Sequence, residues 1–408
     1  MKNKKSQTPN FKFQTSNLHA KRPADNSFFP MLQVLHLVAS SRGGAAEVVR
    51  CLVKGLDRSR FTCVVGMPDD GGQIAAEDFA ALKIPLERFA LQSGFDLNEW
   101  RRLRRFIFKG NFDIVHVHGA RAALWGRLAA VQKNRPRIIF SVHGLSIVHF
   151  TGLKRAGLIL LERVLQTVTD ATLCVSSAEQ AEMRQRKLGA AGKTHLVWNG
   201  IDLERLSGSH DRLAIRAELG VAARAPTLIT VCRLDKPRDF ETLTRGMAQI
   251  IRVYPDAQLL IVGDGPMRDQ IESRIAQLQI NHAVKLLGMR RDVARMFAAA
   301  DVAVLITQGW EGLPLSILEA LAMRLPVIVS DVGGNRDAVV DGESGLVIPP
   351  RDVESFVNAA LKLLSHPTLA QQMGEAGAAR VRQCFALQTM IDQVSAIYLS
   401  SLENPSRL

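Results

Sequence analysis

Short apolar runs rich in β-branched residues alternate with amphipathic stretches along the whole chain, and this alternation limits its folding more than any other feature. Runs separated by ten or more residues of helical pattern do not pair as hairpins; they pair in parallel, through crossover helices. In the first half the strand candidates are Leu32–Val38, Thr62–Met67, Ile114–Val117, Ile138–Val142, Ala171–Val175 and His195–Trp198. The second half restarts the pattern with Thr227–Val231, Gln258–Val262, Val284–Leu287, Val302–Ile306 and Pro326–Val329. Residues 199–226 between them are polar, carry Gly200, Gly208 and Gly220, and read as a linker.

The expected architecture is therefore α/β, with two Rossmann-like domains whose parallel sheets face each other across a cleft. A chain of 408 residues is long enough for two cores. The expected division is a disordered tail over 1–30, a first domain over 31–200 and a second over 201–384. A final helix at about 385–402 is expected to pack back on the first domain.

With 47% hydrophobic and 22% charged residues the composition is that of a globular protein, and no apolar run reaches the length of a membrane span. The basic start, Met1 to Lys5, leads into polar residues, unlike a secretory leader. Cys51, Cys63, Cys174, Cys232 and Cys384 lack metal-site spacing, which suits buried, reduced thiols in a cytoplasmic protein. The charge is uneven: residues 1–200 hold 30 Lys+Arg against 15 Asp+Glu, and the remainder 22 against 24. The first half therefore expects an anionic partner. It also carries two basic amphipathic stretches, Trp100–Lys109 and Lys154–Leu165, suited either to packing as crossover helices or to docking on an anionic membrane.

The most informative segment is Gly309-Trp310-Glu311-Gly312-Leu313-Pro314-Leu315-Ser316-Ile317-Leu318-Glu319. A strand, a tight turn and a short helix in succession make an anion seat, because the first helical turn has unpaired N–H groups and a positive dipole end. Pro314 suits the first helical position. Glu311 at the strand tip and Glu319, four residues beyond Leu315, flank that seat, as a sugar nucleotide requires: N–H groups for phosphates, carboxylates for hydroxyls. Arg233 and Arg238 follow the first strand of the second half, where doubly wound folds bind ligands, and arginine grips phosphate in bidentate fashion.

Gly43-Gly44 after the first strand permit close backbone approach to a ligand and do not form a dinucleotide G-x-G-x-x-G fingerprint. Gly263-Asp264-Gly265-Pro266 reads first as a turn. His116 and His118 share one strand face, with no third metal ligand suggested nearby, and His143 closes another strand. No D-x-D metal clasp is present.

With these residues the chain resembles the retaining GT-B glycosyltransferases of family 4 over residues 31 to about 400. The marks are Gly43-Gly44, the segment from Asp113 to Gly119, Val142-His143-Gly144, Asn199-Gly200-Ile201-Asp202, Arg233-Leu234, Val262 to Pro266, the paired glutamates and the segments from Asp331 to Arg336 and Asp341 to Leu346, in the family's order. The resemblance implies that Glu319 binds ribose hydroxyls, Glu311 holds the donated sugar, and Arg233 and Arg238 grip the diphosphate with N–H groups around Gly312, Leu313, Leu315 and Ser316. It places His143 beside the donor sugar, Gly43-Gly44 over the phosphates, Asp264 near the donor, and His118 and Arg121 toward the acceptor. The family commonly has lysine where Arg238 stands.

The function implied is retaining, metal-independent transfer from a nucleotide-diphosphate sugar to a saccharide or lipid-linked acceptor, in synthesis of surface polysaccharide, lipopolysaccharide or glycolipid. No cofactor is expected, and the location implied is the cytoplasm or the inner face of its membrane. A sugar-nucleotide epimerase of the same fold and a non-enzymatic polyanion-binding protein are the competing readings. The epimerase would need no acceptor, and the polyanion binder would have no use for two cleft carboxylates.

Overall fold

The computed structural model describes residues 31–403 except 73, 92–95, 133–134 and 190–191; the expected tail, 1–30, lies outside the described residues. The first half runs β1 (Leu32–Val38), α1 (Gly44–Gly55), β2 (Phe61–Met67), α2 (Ala76–Ala81), β3 (Leu86–Arg88), α3 (Leu97–Lys109), β4 (Ile114–His118), α4 (Gly119–Ala130), β5 (Arg137–Ser141), α5 (Gly152–Gln166), β6 (Ala171–Cys174), α6 (Ser177–Gln185) and β7 (Thr194–Leu196). Then come α7 (Leu203–Leu206), α8 (Arg212–Glu218), β8 (Thr227–Val231), α9 (Phe240–Val253), β9 (Gln258–Val262), α10 (Arg268–Gln277), β10 (Val284–Gly288), α11 (Val293–Ala298), β11 (Val302–Leu305), α12 (Leu315–Ala322), β12 (Val327–Ser330), α13 (Asn335–Ala338) and β13 (Gly345–Ile348). Three helices close the chain: α14 (Val353–Ser365), α15 (Pro367–Cys384) and α16 (Leu387–Glu403).

The strands form two sheets, ordered β3-β2-β1-β4-β5-β6-β7 and β10-β9-β8-β11-β12-β13, and every pairing is parallel. β4 is buried along its whole length, as a strand covered on both faces must be. The sequence reading missed only the short β3 and the terminal β13, edge strands of three and four residues, too short to stand out. Strand order reverses between β1 and β4 and again between β8 and β11. Crevices open at such reversals, outside the carboxyl ends of the strands.

Each sheet has an apolar core on both faces. α14 and α15 cover the second sheet, after which the chain turns back. From α16, Met390, Ile391, Val394, Ile397 and Tyr398 enter the core shared by β1, β2, β4 and α1. Ile201 and Ala386 bridge side by side where the chain passes between the domains.

One expectation is corrected here. Residues 199–226 are no plain linker, because they hold α7 and α8, and Leu206, Ile215, Val221 and Ala225 are buried in the core of the second domain. The anchor is Arg216, only 2% exposed. Its guanidinium donates to the carbonyls of Ala299, Ala223 and Ala225 at 2.9, 2.9 and 3.0 Å and to Asp301 at 2.9 Å. A buried arginine is stable only when such acceptors replace its water. Arg216→Leu strips the Ala299 and Ala223 carbonyls of this donor, while Asp301 keeps Arg212 and the Thr227 N–H, and is expected to cost about 3–5 kcal/mol with the lost buried pair. At roughly 2–4 °C per kcal/mol, thermal unfolding should show a midpoint lowered by about 10 °C; an unchanged midpoint would refute the anchoring role.

Candidate active site

The loops at the carboxyl ends of β1, β5, β8 and β11 meet at one place. After β1, Asp70 holds the loop: Ser40 Oγ donates to it at 2.7 Å and the Ser41 N–H at 3.0 Å. Gly43 stands at the N-cap of α1 with φ 83°, a conformation that favours glycine. Its surroundings locate the loop: a β-carbon on Gly43 would lie 3.6 Å from Arg233 Cδ, and one on Gly44 3.5 Å from Leu315 Cδ1. The first domain's glycine loop thus touches the second domain's cationic loop and anion seat.

Arg233 follows β8, is half exposed, and pairs with Asp235 at 2.6 Å. Arg238 forms an ion pair with Glu311, which is 8% exposed. Glu311 is held from behind, because the Gly334 N–H donates to its carbonyl at 3.0 Å. A β-carbon on Gly334 would overlap the carbonyl of Gly312, so this turn packs backbone to backbone. Pro314 is the N-cap of α12 and Leu315 its first residue, one position later than expected. No side chain caps this helix, so its first N–H groups are open to an anion.

Glu319 lies four residues along α12, in a crevice of about 10 Å3 bounded by Glu47, Cys51, Asp202, Arg205 and Leu315. Burial, and then the neighbouring Glu47 carboxylate, push it up to about 7. Arg205 pairs with Glu47 at 2.7 Å. That is room for about one water, whereas ligand sites commonly occupy about 300–1,000 Å3, so this cleft is nearly shut.

On the first domain's side four imidazoles cluster under the cleft, three of them in a hydrogen-bonded chain. His143 Nε2 lies 3.1 Å from His118 Nδ1, and His118 Nε2 lies 3.2 Å from His36 Nδ1. His116 contacts Tyr398 Oη at 2.6 Å and Ser141 Oγ at 2.8 Å. Burial lowers His36 to about 3 and His143 to about 4, and it lowers His116 and His118 well below the ordinary histidine value. All four are therefore neutral near pH 7, with one N–H each. His36 Nε2 has no partner. An orphaned lone pair costs less than an orphaned buried N–H, which orders the chain: His36 Nδ1–H donates to His118, His118 Nδ1–H donates to His143, and His143 keeps its proton on Nδ1.

Two expectations change with this geometry. His118 is 2% exposed and sits beneath His143, so its ring does not face an acceptor; Arg121 is exposed at the first turn of α4. A third imidazole does stand beside His116 and His118, since His36 pairs with His116 across β1 and β4. However, both His116 nitrogens are engaged by Tyr398 and Ser141, and a metal would have to displace one of them. Asp264 is exposed and accepts from the Gly265 N–H at 2.8 Å, capping its own turn.

The sequence reading overlooked Glu179. Its carboxylate accepts from the Gly144 and Val175 N–H groups, fixing the turn that carries His143. A β-carbon on Gly312 would lie 3.1 Å from Glu179 Oε1 and 3.2 Å from the Gly144 nitrogen, so the first domain's turn and Glu311's neighbour are in contact. A carboxylate three residues after a Ser N-cap looks like ordinary helix capping, and only the fold brings it to the cleft.

Two doubly wound parallel sheets whose strand-end loops meet at one cleft are the arrangement of GT-B glycosyltransferases. The model for Glycosyl transferases group 1 matches residues 211–380 and that for Glycosyltransferase Family 4 matches 42–205. The chain belongs to this family of enzymes. It is 26% identical to the UDP-Gal:alpha-D-GlcNAc-diphosphoundecaprenol alpha-1,3-galactosyltransferase of Escherichia coli over 76% of its own length and 81% of that protein's. It is 27% identical to the N-acetyl-alpha-D-glucosaminyl L-malate synthase of Bacillus anthracis over 76% and 80%. The fold matches the crystal structure of Anabaena HepE in complex with UDP-glucose with a TM-score of 0.80, 22% identity and coverage of 90% of this chain and 100% of that one.

Burial raises Glu179, like Glu319, to about 7 from the ordinary 4.5. A carboxyl raised on folding favours the fold while protonated, so its contribution is full below the unfolded value and is lost as pH rises to about 7. Each group should lower stability by up to about 1.4 kcal/mol per pH unit across that window. Glu319→Gln should flatten the slope measured by denaturant unfolding between pH 5 and 7, and an unaltered slope would show that Glu319 is not the titrating group.

Proposed function

We propose that this glycosyltransferase is retaining and metal-independent, and moves a sugar from a nucleoside-diphosphate donor to a lipid-linked or saccharide acceptor. The work proposed is surface polysaccharide, lipopolysaccharide or glycolipid synthesis at the inner face of the cytoplasmic membrane. The observation that carries the reading is the convergence of Arg233, the Arg238–Glu311 pair and the uncapped α12 on the glycine loop of the opposite domain.

In the proposed reaction the anomeric carbon–oxygen bond to the diphosphate breaks and a bond from the acceptor oxygen to that carbon forms on the same face. The acceptor's proton passes to the departing phosphate oxygen, so no carboxylate base is required. Negative charge growing on the diphosphate meets Arg233, Arg238 and the N–H groups of Leu315 and Ser316, which supply what a divalent cation supplies in other enzymes. Glu311, released from Arg238 as that guanidinium turns to phosphate, accepts from hydroxyls of the donated sugar. Glu319 accepts from the ribose, and the Nδ1–H of His143 is a donor at the sugar's edge. The nearly shut cleft has to open for the donor to enter.

The lipid-linked acceptor is supported by the Escherichia coli relative, whose name gives a diphosphoundecaprenol substrate; the malate synthase shows that related enzymes also use small acceptors. Glu311→Ala and Arg233→Ala should each lower kcat by roughly 100-fold or more, the scale of a lost transition-state contact. Turnover like that of the parent enzyme in either variant would remove the residue from its assigned role. A thermal-shift panel of UDP-, GDP-, ADP- and dTDP-sugars identifies the donor, since only a bound nucleotide raises the midpoint.

A further inference from the structure

A crossover helix ordinarily turns its apolar side to the sheet and its polar side to water. α3 obeys: Leu103 and Ile107 are buried and Trp100 and Phe106 pack with them, while Arg101, Arg105 and Lys109 are exposed. α5 does not. Leu165 is buried, and Leu158 and Ile159 pack toward the sheet. Yet Leu153 is 93% exposed, Leu160 64% and Val164 58%.

At about 100° per residue, positions 153, 160 and 164 fall within roughly 40° of one another and form a single outward stripe. Gly157 lies in that stripe, with nothing near the place a β-carbon would occupy, and Leu161 borders it at 39% exposure. Lys154 and Arg163 are exposed on its two flanks. The helix's one acid, Glu162, faces the other way and is held by Arg127 at 2.7 Å.

The neighbouring helices extend this surface. α3, α4 and α5 lie side by side on one face of the first sheet. They and the residue ending α4 carry eight of the twelve exposed large apolar side chains among the described residues, including Phe108 and Val131. An apolar stripe bordered by cations, in the half of the chain with twice as many basic as acidic residues, is complementary to one kind of surface.

We propose that the outer face of α5 docks the enzyme on an anionic lipid bilayer, with Leu153, Leu160 and Val164 entering the headgroup region and Lys154 and Arg163 meeting lipid phosphates. The inference rests on the lipid-linked acceptor of the reading above and assigns the surface that reaches it. α5 begins eight residues after Gly144, so docking sets the His143 turn close to the membrane plane.

The test compares the full chain with a Leu153→Ser/Leu160→Ser/Val164→Ser variant and with Lys154→Glu/Arg163→Glu. Each is sedimented with phosphatidylcholine vesicles and with vesicles containing phosphatidylglycerol, at low and at high salt. The parent chain should sediment with the anionic vesicles, and the triple variant should lose ~10-fold or more of its partition. The charge variant should lose mainly the salt-sensitive part. Equal partition of parent and triple variant, or none by the parent, overturns the proposal. So does light scattering that finds the parent a dimer and the triple variant a monomer, because the stripe would then be a contact between two copies. The stripe's side chains project outward, so the thermal midpoint of the triple variant should match the parent's. The charge variant also loses the Arg163 bond to the Arg186 carbonyl at 2.9 Å, and the midpoint's rise with soluble nucleotide sugar should match in all three proteins. Loss of that rise in every protein would refute the donor site and leave the docking result intact.

Discussion

Parallel pairing is the constraint from which the rest of this structure follows. A parallel sheet needs a crossover after every strand, and right-handed crossovers deliver all the carboxyl ends to one edge. Each sheet here reverses its order once, at β1/β4 and at β8/β11, and crevices open at such reversals. Two such edges face each other, so residues far apart in sequence, such as Gly43 and Arg233, come into contact. Joining the edges leaves backbone N–H groups that water no longer reaches. The Glu179 and Asp70 carboxylates and the Glu311 carbonyl, which accepts from the Gly334 N–H, settle much of that account, and all three sit at the cleft.

Charge is distributed across the cleft by the same logic. The cations are on the second domain, at the strand ends and beside the uncapped helix, where phosphate is expected. The first domain offers four imidazoles that burial keeps neutral. A positive imidazolium beside the sugar would oppose charge growing at the anomeric carbon, and burial prevents it without any specific partner. The Arg238–Glu311 pair works in a related way, since each group would otherwise be a partly buried charge without a counterion.

Much of this was legible in the sequence because period and order carry it. Strands such as Leu32–Val38, Thr227–Val231 and Gln258–Val262 stood out because a strand buried on both faces is a continuous apolar run. The turn and helix start at 311–316 were legible because a Gly-Leu-Pro turn before an apolar run signals a helix N-terminus. What was hidden depends on contacts across the chain. His36 acquires meaning only from the register that sets it against His116, and Glu179 only from the turn at Gly144. Arg216 lay in a polar stretch whose glycines suggested a linker, while its burial rests on carbonyls up to 83 residues away. Polarity marks solvent only when no distant acceptor is available.

The chain's end belongs to the same argument. Tyr398 is completely buried and reaches His116 from α16, so the last helix completes the polar network beneath the first domain's half of the cleft. To do this the chain passes between the domains a second time, and Ile201 pairs with Ala386 where the two passages run together. A β-carbon on Gly200 would overlap the α-carbon of Leu387, which is why the first passage needs glycine there. Parting the domains to admit a donor must therefore bend both passages at one place. Hinge and cleft are not independent: Asn199, one residue before that glycine, donates to the carbonyl of Leu313 at 3.3 Å, within the turn that leads into α12. Motion at the paired passages is thus felt directly at the anion seat.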